Sequence, residues 1–141
     1  MENRMKLEFL SKSANEGFAR AAVAAFVSQL DPTLEELADI KTAVSEAVTN
    51  AIVHGYGHPD GIVTITCELL QTQVKIKITD CGQGIEDIAL ATQPLYTRSP
   101  DAERSGMGFT VMETFMDSMV VESTLGQGTI VTLTKEIGTI S

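Results

Sequence analysis

Two neighbouring runs of alternating apolar and polar residues in the middle of the chain predict a β-hairpin. The apolar members of the first run are Val63, Ile65, Cys67 and Leu69, and those of the second are Val74, Ile76 and Ile78. Alternation with a period of two is typical of a strand that buries one face, and the short connection at 71–73 favours antiparallel pairing. Other elements of the chain must therefore cover one face of this hairpin.

The remaining segments supply both helices and strands. We predict strands at 5–10, 119–123 and 129–134, the last two joined by a turn at 126–128, and helices at 18–30, 34–54 and 107–116. Thr33, with Glu36 three residues later, forms a capping-box pattern before the second helix. This order predicts an α+β fold, a mixed and mostly antiparallel sheet covered on one face by helices. With 141 residues, the chain is expected to be a single domain, 1–141.

Composition excludes some classes of protein. The net charge of −9 argues against direct binding to nucleic acid, because a phosphate backbone is held by Lys and Arg. The apolar runs are shorter than a membrane span requires, and the first residues lack the apolar run of a secretory signal. Cys67 and Cys81 are expected to be reduced thiols. We therefore expect a cytoplasmic protein that does not enter the membrane.

The second predicted helix carries a polar pair. Leu37, Ile40, Val44, Val48 and Ala51 form its apolar stripe. Glu46 lies opposite that stripe, and Asn50 lies one turn further along on the same side. A carboxylate can accept a proton from an attacking hydroxyl, and an amide oxygen is a suitable Mg²⁺ ligand. An ordinary solvated helix face would contain the same residues, so the helix alone leaves both interpretations open.

A glycine motif follows the second strand of the hairpin. Asp80 ends that strand, and Gly82 and Gly84 follow it. The carboxylate of Asp80 can accept a hydrogen bond from an exocyclic amine such as that of adenine. The two glycines permit positive φ angles and the close approach of a flat base. Taken alone, this segment is better explained as a simple turn.

A second glycine motif precedes the third predicted helix. Ser105, Gly106, Met107 and Gly108 stand at the predicted start of that helix, next to Arg104. Glycines at a helix start expose N–H groups to phosphate oxygens, and an adjacent arginine can contact a terminal phosphate. A hinge with a serine cap is the alternative. The spacing is neither that of a P-loop nor that of a dinucleotide fingerprint.

The ordered set of motifs resembles the ATPase family shared by gyrase, Hsp90, histidine kinases and MutL. The matching segments are Glu46 to Asn50, Asp80 to Gly84, Gly106 to Gly108 and Gly126 to Thr129. The resemblance covers nearly the entire chain. It implies a Bergerat-type sandwich that binds ATP, with Thr129 helping to hold the adenine end.

A closer resemblance rests on 18–20, 44–52, 93–95 and 103–109. These segments resemble the sporulation anti-sigma factors of spore-forming Gram-positive bacteria, which are also serine kinases. The resemblance implies a homodimer that, with bound ATP, sequesters the sporulation sigma factor F. It also implies an anti-anti-sigma factor that displaces the sigma factor and is inactivated when the kinase phosphorylates one of its serines.

Site roles follow from the same resemblance. Glu46 would deprotonate the incoming serine, Asn50 would hold Mg²⁺, Asp80 would bind adenine, and Arg20 would face a protein partner. The phosphates would be held by the segment that contains Arg104, Ser105, Gly106, Met107 and Gly108. Two alternatives stay open: a nucleotide-dependent binding module without phosphoryl transfer, and a free-standing ATPase. We also expect a lid at 81–105 and an edge strand at 5–10 that pairs two subunits.

Overall fold

The computed structural model of the chain describes residues 2–85 and 100–138, with side chains from residue 108 onwards in the second range. In chain order the elements are β1 (Glu2–Leu10), α1 (Asn15–Val27), a 3₁₀ turn (Ser28–Leu30), α2 (Leu34–Asn50), a π-helical turn (Ala51–Tyr56), β2 (Ile62–Leu70), β3 (Gln73–Asp80), α3 (Pro100–Phe115), β4 (Ser118–Thr124) and β5 (Gly128–Glu136). This confirms the predicted α+β class.

The five strands form one sheet in the order β1-β2-β3-β5-β4. All neighbouring pairs are antiparallel. Every apolar residue of the two alternating runs is buried, which confirms the predicted hairpin and its covered face. The hairpin register pairs Ile65 with Ile78, and β3 then pairs Asp80 with Thr129 of β5. The first strand is an edge strand, as predicted.

The helices cover one face of the sheet, and α2 lies at their centre, in contact with both α1 and α3. Four members of its predicted apolar stripe, Ile40, Val44, Val48 and Ala51, are buried, whereas Leu37 is half-buried. Ala43 and Ala47 are buried beside them. The predicted capping box is present, because the Thr33 hydroxyl accepts from the Glu36 N–H and the Glu36 carboxylate accepts from the Thr33 N–H. The start of α2 is therefore fixed by local hydrogen bonds, and its direction by burial.

The end of α2 differs from the predicted boundary at residue 54. The α-helix ends at Asn50 and continues as the π-helical turn to Tyr56. Gly57 then stops the helix in the left-handed region, with φ of 70°. Single π-helical turns widen the backbone spiral and are frequent at functional sites. Here the turn carries Gly55 and Tyr56 towards the end of β3.

The third helix begins earlier than predicted. It starts at Pro100, so Ser105, Gly106, Met107 and Gly108 lie inside it and not at its start. The prediction that these glycines open a helix is therefore wrong. Proline suits the first position of a helix, and Asp101 and Glu103 favour its first turn, which explains the earlier start. The part of the predicted lid at 86–99, including 93–95, lies outside the described residues, and the part at 100–105 is helical.

None of the described helices is long and apolar enough to cross a bilayer.

Candidate functional site

Asp80 lies at the end of β3, at the centre of the candidate site. Only 7% of the residue is exposed. Its Oδ1 atom accepts a hydrogen bond of 3.0 Å from the N–H of Gly82. Burial raises the pKa of the Asp80 carboxyl, and hydrogen bonds from the backbone N–H groups of Gly82 and Thr129 oppose that shift. The site therefore holds an acceptor in a fixed position, sheltered from bulk water.

Glycines surround Asp80 because four chain segments cross there without room for side chains. A Cβ atom on Gly55 would lie 2.7 Å from Asp80 Cγ, and one on Gly128 would lie 2.1 Å from the Asp80 carbonyl oxygen. A Cβ atom on Gly82 would lie 2.0 Å from the Gly55 carbonyl oxygen. A side chain at position 82 or 128 would require the backbone to move, and one at position 55 would displace the Asp80 carboxylate.

The two predicted glycines have different local roles. Gly84 has a φ of 75°, as the sequence argument expected for a glycine at this point. Gly82 is not among the residues with positive φ, and its lack of a side chain serves close contact with the Gly55 carbonyl. Gly55 and Gly128 were missed as site residues by the sequence reasoning. The only features of the sequence that could have identified these two glycines were the glycine-rich stretch after α2 and the turn before β5.

The end of α2 is hydrogen-bonded to the loop that follows β3. The N–H of Gln83 donates to the Gly55 carbonyl at 2.8 Å, and its side-chain amide donates to the His54 carbonyl at 2.5 Å. The N–H of Cys81 donates to the Tyr56 hydroxyl at 2.7 Å. These bonds hold the helix that carries Glu46 and Asn50 in a fixed relation to Asp80.

Thr129 and Ser123 support the other side of the loop. Thr129 is 8% exposed, and its hydroxyl shares a 2.8 Å hydrogen bond with the Ser123 hydroxyl. The Ser123 hydroxyl also accepts from the Ile85 N–H at 2.8 Å and donates to the Gly128 carbonyl at 2.9 Å. Ser123 was missed by the sequence reasoning, since a serine inside a strand carries no recognisable motif.

Glu46 and Asn50 lie against the middle of α3. A Cβ atom on Gly108 would be 3.1 Å from Glu46 Oε2 and 3.2 Å from Asn50 Nδ2. The Asn50 Nδ2 atom is buried and has no hydrogen-bond partner among the residues that the structure describes. The structure therefore brings Gly108 together with the polar pair of α2, and any side chain at position 108 would press on both.

The other residues of the predicted phosphate segment are placed only by their backbone. Arg104, Ser105, Gly106 and Met107 lie within α3, on the N-terminal side of Gly108. The side chains of Arg104, Ser105 and Met107 lie outside the described residues. Their predicted contacts with phosphate remain predictions.

Arg20 lies beside Glu46 in a groove between α1 and α2. The groove has a volume of about 370 Å³ and is lined by Arg20, Ala38, Lys41, Thr42, Ser45 and Glu46. The Arg20 side chain is 42% exposed and lies 3.7 Å from the Glu16 carboxylate. Two cations and the Glu46 carboxylate thus share one accessible groove.

The described residues contain no group of three or more His, Cys, Asp or Glu side chains arranged to hold a metal ion. This does not conflict with a Mg²⁺ site, because Mg²⁺ is commonly held by one or two protein oxygens together with substrate phosphates and water. Asn50 carries an amide oxygen of the kind that Mg²⁺ prefers, and its Nδ2 atom, which cannot bind a cation, has no hydrogen-bond partner among the described residues.

Residues 9–135 match the model of a family described as the histidine kinase-like ATPase domain. The chain is similar to the anti-sigma F factor of Clostridium novyi, with 63% identity over 98% of this chain and 97% of that protein. It is 60% identical to the anti-sigma F factor of Clostridium botulinum strain Alaska E43, over 99% of both chains. The anti-sigma F factor of Caldanaerobacter subterraneus is 60% identical over 96% of this chain and 95% of that protein.

Among solved structures, the chain is similar to a crystal structure of the RsbU and RsbW domains of a Mycobacterium tuberculosis protein. The TM-score is 0.68 at 20% identity, and the match covers 96% of this chain but 32% of that one. A likeness at this identity supports the fold alone.

Proposed function

The chain belongs to the anti-sigma F factors that contain a histidine kinase-like ATPase domain, and on that premise we propose that it is an ATP-dependent serine kinase that also sequesters a sigma factor. The proposal rests on the contacts between the segments that carry the predicted motifs. Gly108 lies against Glu46 and Asn50, while hydrogen bonds fasten the end of α2 to the loop after Asp80. The segments proposed to bind the nucleotide base and to carry out phosphoryl transfer would thereby keep a fixed position relative to each other.

Asp80 would bind the base of ATP. Its carboxylate can only accept hydrogen bonds when ionised, so it pairs with a donor such as the exocyclic amine of adenine. Gly82, Gly84 and Thr129 form the surrounding loop and turn, where small residues allow close approach of a flat ring. All of these residues lie within the single domain, 1–141, that the sequence predicts.

Asn50 would hold Mg²⁺ through its amide oxygen, and the ion would neutralise phosphate charge when bound. The Nδ2 atom of the same amide is a donor without a partner among the described residues, so it would be free to donate to a phosphate oxygen or to water. Gly106 and Gly108 would leave room for the phosphates, and Arg104 would supply a cation. Ser105 and Met107 complete this phosphate segment.

Glu46 would act as the general base. It would accept the proton of a serine hydroxyl while the serine oxygen attacks the γ-phosphorus, and the bond between that phosphorus and the leaving oxygen of ADP would break. Glu46 lines the groove that also contains Arg20, so a serine entering this groove would approach the carboxylate directly. General bases typically contribute about 10²–10⁴-fold to the rate.

Arg20 and the groove would receive the protein partners, sigma factor F and the anti-anti-sigma factor. Reversing the charge in Arg20→Glu is expected to weaken binding of both partners while the ATP affinity stays unchanged. Measuring both affinities on one preparation tests this assignment. An equal loss of ATP affinity would mean that Arg20 supports the nucleotide site or the fold.

Dimerisation would use β1, an edge strand whose outer edge is available for pairing. Sedimentation at micromolar concentration with ATP tests the proposal. A monomer under these conditions would contradict it.

Phosphoryl transfer is tested by mixing the chain with Mg²⁺, γ-labelled ATP and an anti-anti-sigma protein. Label on a partner serine supports the kinase. ATP binding with no label would favour the binding module, and hydrolysis without any partner would favour a free-standing ATPase. Arg20→Glu is a useful companion variant, because it removes one of the two cations of the groove and leaves Glu46 in place.

A further inference from the structure

Tyr56 joins three elements through one hydroxyl group. The hydroxyl accepts the N–H of Cys81, the residue after Asp80, at 2.7 Å. It also donates to the Ile62 carbonyl at the start of β2, at 2.6 Å. Tyr56 itself ends the π-helical turn that continues α2. One side chain therefore connects the catalytic helix, the second strand and the loop that follows the base-binding carboxylate.

Two packing contacts fix the position of the Tyr56 ring. A Cβ atom on Gly61 would lie 2.5 Å from the ring, so the ring packs directly on the Gly61 backbone. The His58 ring contacts it edge-on, with centroids 5.6 Å apart. Burial raises the pKa of the Tyr56 hydroxyl, which keeps its proton for donation to Ile62 at neutral pH.

The fixed hydroxyl restrains the peptide that leads out of Asp80. The Asp80 carboxylate is oriented in part by its own loop, because Oδ1 accepts from the Gly82 N–H two residues later, and in part by the Thr129 N–H. Cys81 is the link between Asp80 and Gly82, and its N–H is anchored by Tyr56. Displacing the Cys81 peptide would therefore move both the carboxylate and one of its donors.

We propose that Tyr56 is a positioning residue for nucleotide recognition, which sets the preference for adenine by fixing the Cys81 peptide and hence the Asp80 carboxylate. The proposal rests on the proposed function, in which Asp80 binds the adenine amine. Tyr56 does not touch the nucleotide in this account. Its contribution should therefore appear in the choice of base more than in the binding of the phosphates.

The test compares Tyr56→Phe with the wild type in the binding of Mg·ATP and Mg·ITP. Inosine triphosphate has the same phosphates but replaces the exocyclic amine with a carbonyl oxygen, so the 6-position of its base accepts a hydrogen bond and cannot donate one to Asp80. Phenylalanine retains the ring that packs on Gly61 and removes only the hydroxyl. We expect the Kd for ATP to rise about fivefold and the Kd for ITP to change less than about twofold, as the loss of one or two neutral hydrogen bonds suggests.

Thr72→Val is the matched control. The Thr72 hydroxyl bonds to Glu136 Oε2 at 2.9 Å, in the turn at the other end of the β2–β3 hairpin. This substitution removes a hydrogen-bonding hydroxyl from an exposed position far from Asp80 and should leave both nucleotide affinities unchanged. Equal losses of ATP and ITP affinity in Tyr56→Phe, or no loss of either, would overturn the proposal.

Failure of the proposed function would look different. A wild-type protein that binds ATP and ITP equally would contradict the role of Asp80 itself. Hydrogen exchange on the nucleotide-free wild type gives a second measurement that needs no variant. The Cys81 amide should exchange at least about tenfold more slowly than an open-loop amide, and exchange at the open-loop rate would overturn the anchoring role of Tyr56.

Discussion

Adding one methyl group at Gly55 should damage the nucleotide site more than it damages the fold. Gly55 is not among the residues with positive φ, so alanine brings no backbone strain there. Its Cβ would instead lie 2.7 Å from Asp80 Cγ and 2.8 and 2.9 Å from the two carboxylate oxygens. The carboxylate would have to retreat to an ordinary contact of at least 3.4 Å, a displacement of about 0.7 Å.

That displacement costs hydrogen bonds as well as packing. The bond from the Gly82 N–H to Asp80 Oδ1 is 3.0 Å long and would be stretched or lost. Hydrogen bonds to charged groups contribute about 1.5–3 kcal/mol, and overpacking a core costs about 1–3 kcal/mol. We expect the free energy of unfolding of Gly55→Ala to fall by about 1–3 kcal/mol, and the ATP affinity to fall at least about tenfold, because the acceptor for adenine is moved.

Denaturant unfolding and calorimetric titration with Mg·ATP measure the two effects. Gly17→Ala is the control, since its Cβ would lie 3.7 Å from the nearest atom, Arg20 Nη2, within α1. Alanine inside a helix stabilises by about 0.5–1 kcal/mol relative to glycine, and the ATP affinity should not change. A Gly55→Ala protein that binds ATP within about twofold of wild type would refute the placement of Asp80 beside Gly55.

Three further predictions use other parts of the structure. Burial raises the pKa of Asp80, so the folded state binds the carboxyl proton more tightly than the unfolded state does. The contribution of Asp80 to stability therefore falls as the pH rises from the ordinary pKa of an aspartate through the raised pKa of the folded state. Asp80→Asn should remove that pH dependence and leave the free energy of unfolding at neutral pH unchanged or higher. It should also abolish the preference for ATP over ITP, and a retained preference would contradict the role of Asp80. Thiol labelling of the native protein should modify Cys81, which is exposed. It should spare Cys67, which is buried and whose pKa is raised to about 12. Rapid labelling of both cysteines would contradict the core packing. Thr33→Ala should lower the free energy of unfolding by about 1 kcal/mol through loss of the capping box, and an unchanged denaturation midpoint would refute that role.

The sheet and the buried face of α2 could be predicted because they follow from periodicity. Alternation in β2 and β3 identified every buried apolar residue of the hairpin, and Thr33 with Glu36 identified the start of α2. These signals are local, so no knowledge of distant contacts was required. Glu46 and Asn50 were likewise identified as one face of one helix.

The parts of the site that were missed depend on contacts between distant segments. Gly55 is required because Asp80, 25 residues later, occupies the space beside it, and nothing near Gly55 in the sequence indicates this. Ser123 joins the loop at Ile85 to β5 through a hydroxyl in an ordinary strand. The start of α3 was misplaced because Gly106 and Gly108 were taken to begin a helix, whereas Pro100 begins it.

The most direct test of the central claim is a single-turnover measurement of phosphoryl transfer by Glu46→Gln, with the Mg·ATP affinity measured on the same protein. Glutamine retains the size of the side chain and one acceptor oxygen, but it replaces the other oxygen with an NH2 donor and cannot accept the serine proton. The account predicts that the rate of label transfer to an anti-anti-sigma serine falls about 10²–10⁴-fold while the Kd for ATP stays within about twofold of wild type. Transfer at the wild-type rate would contradict the assignment of Glu46 as the base.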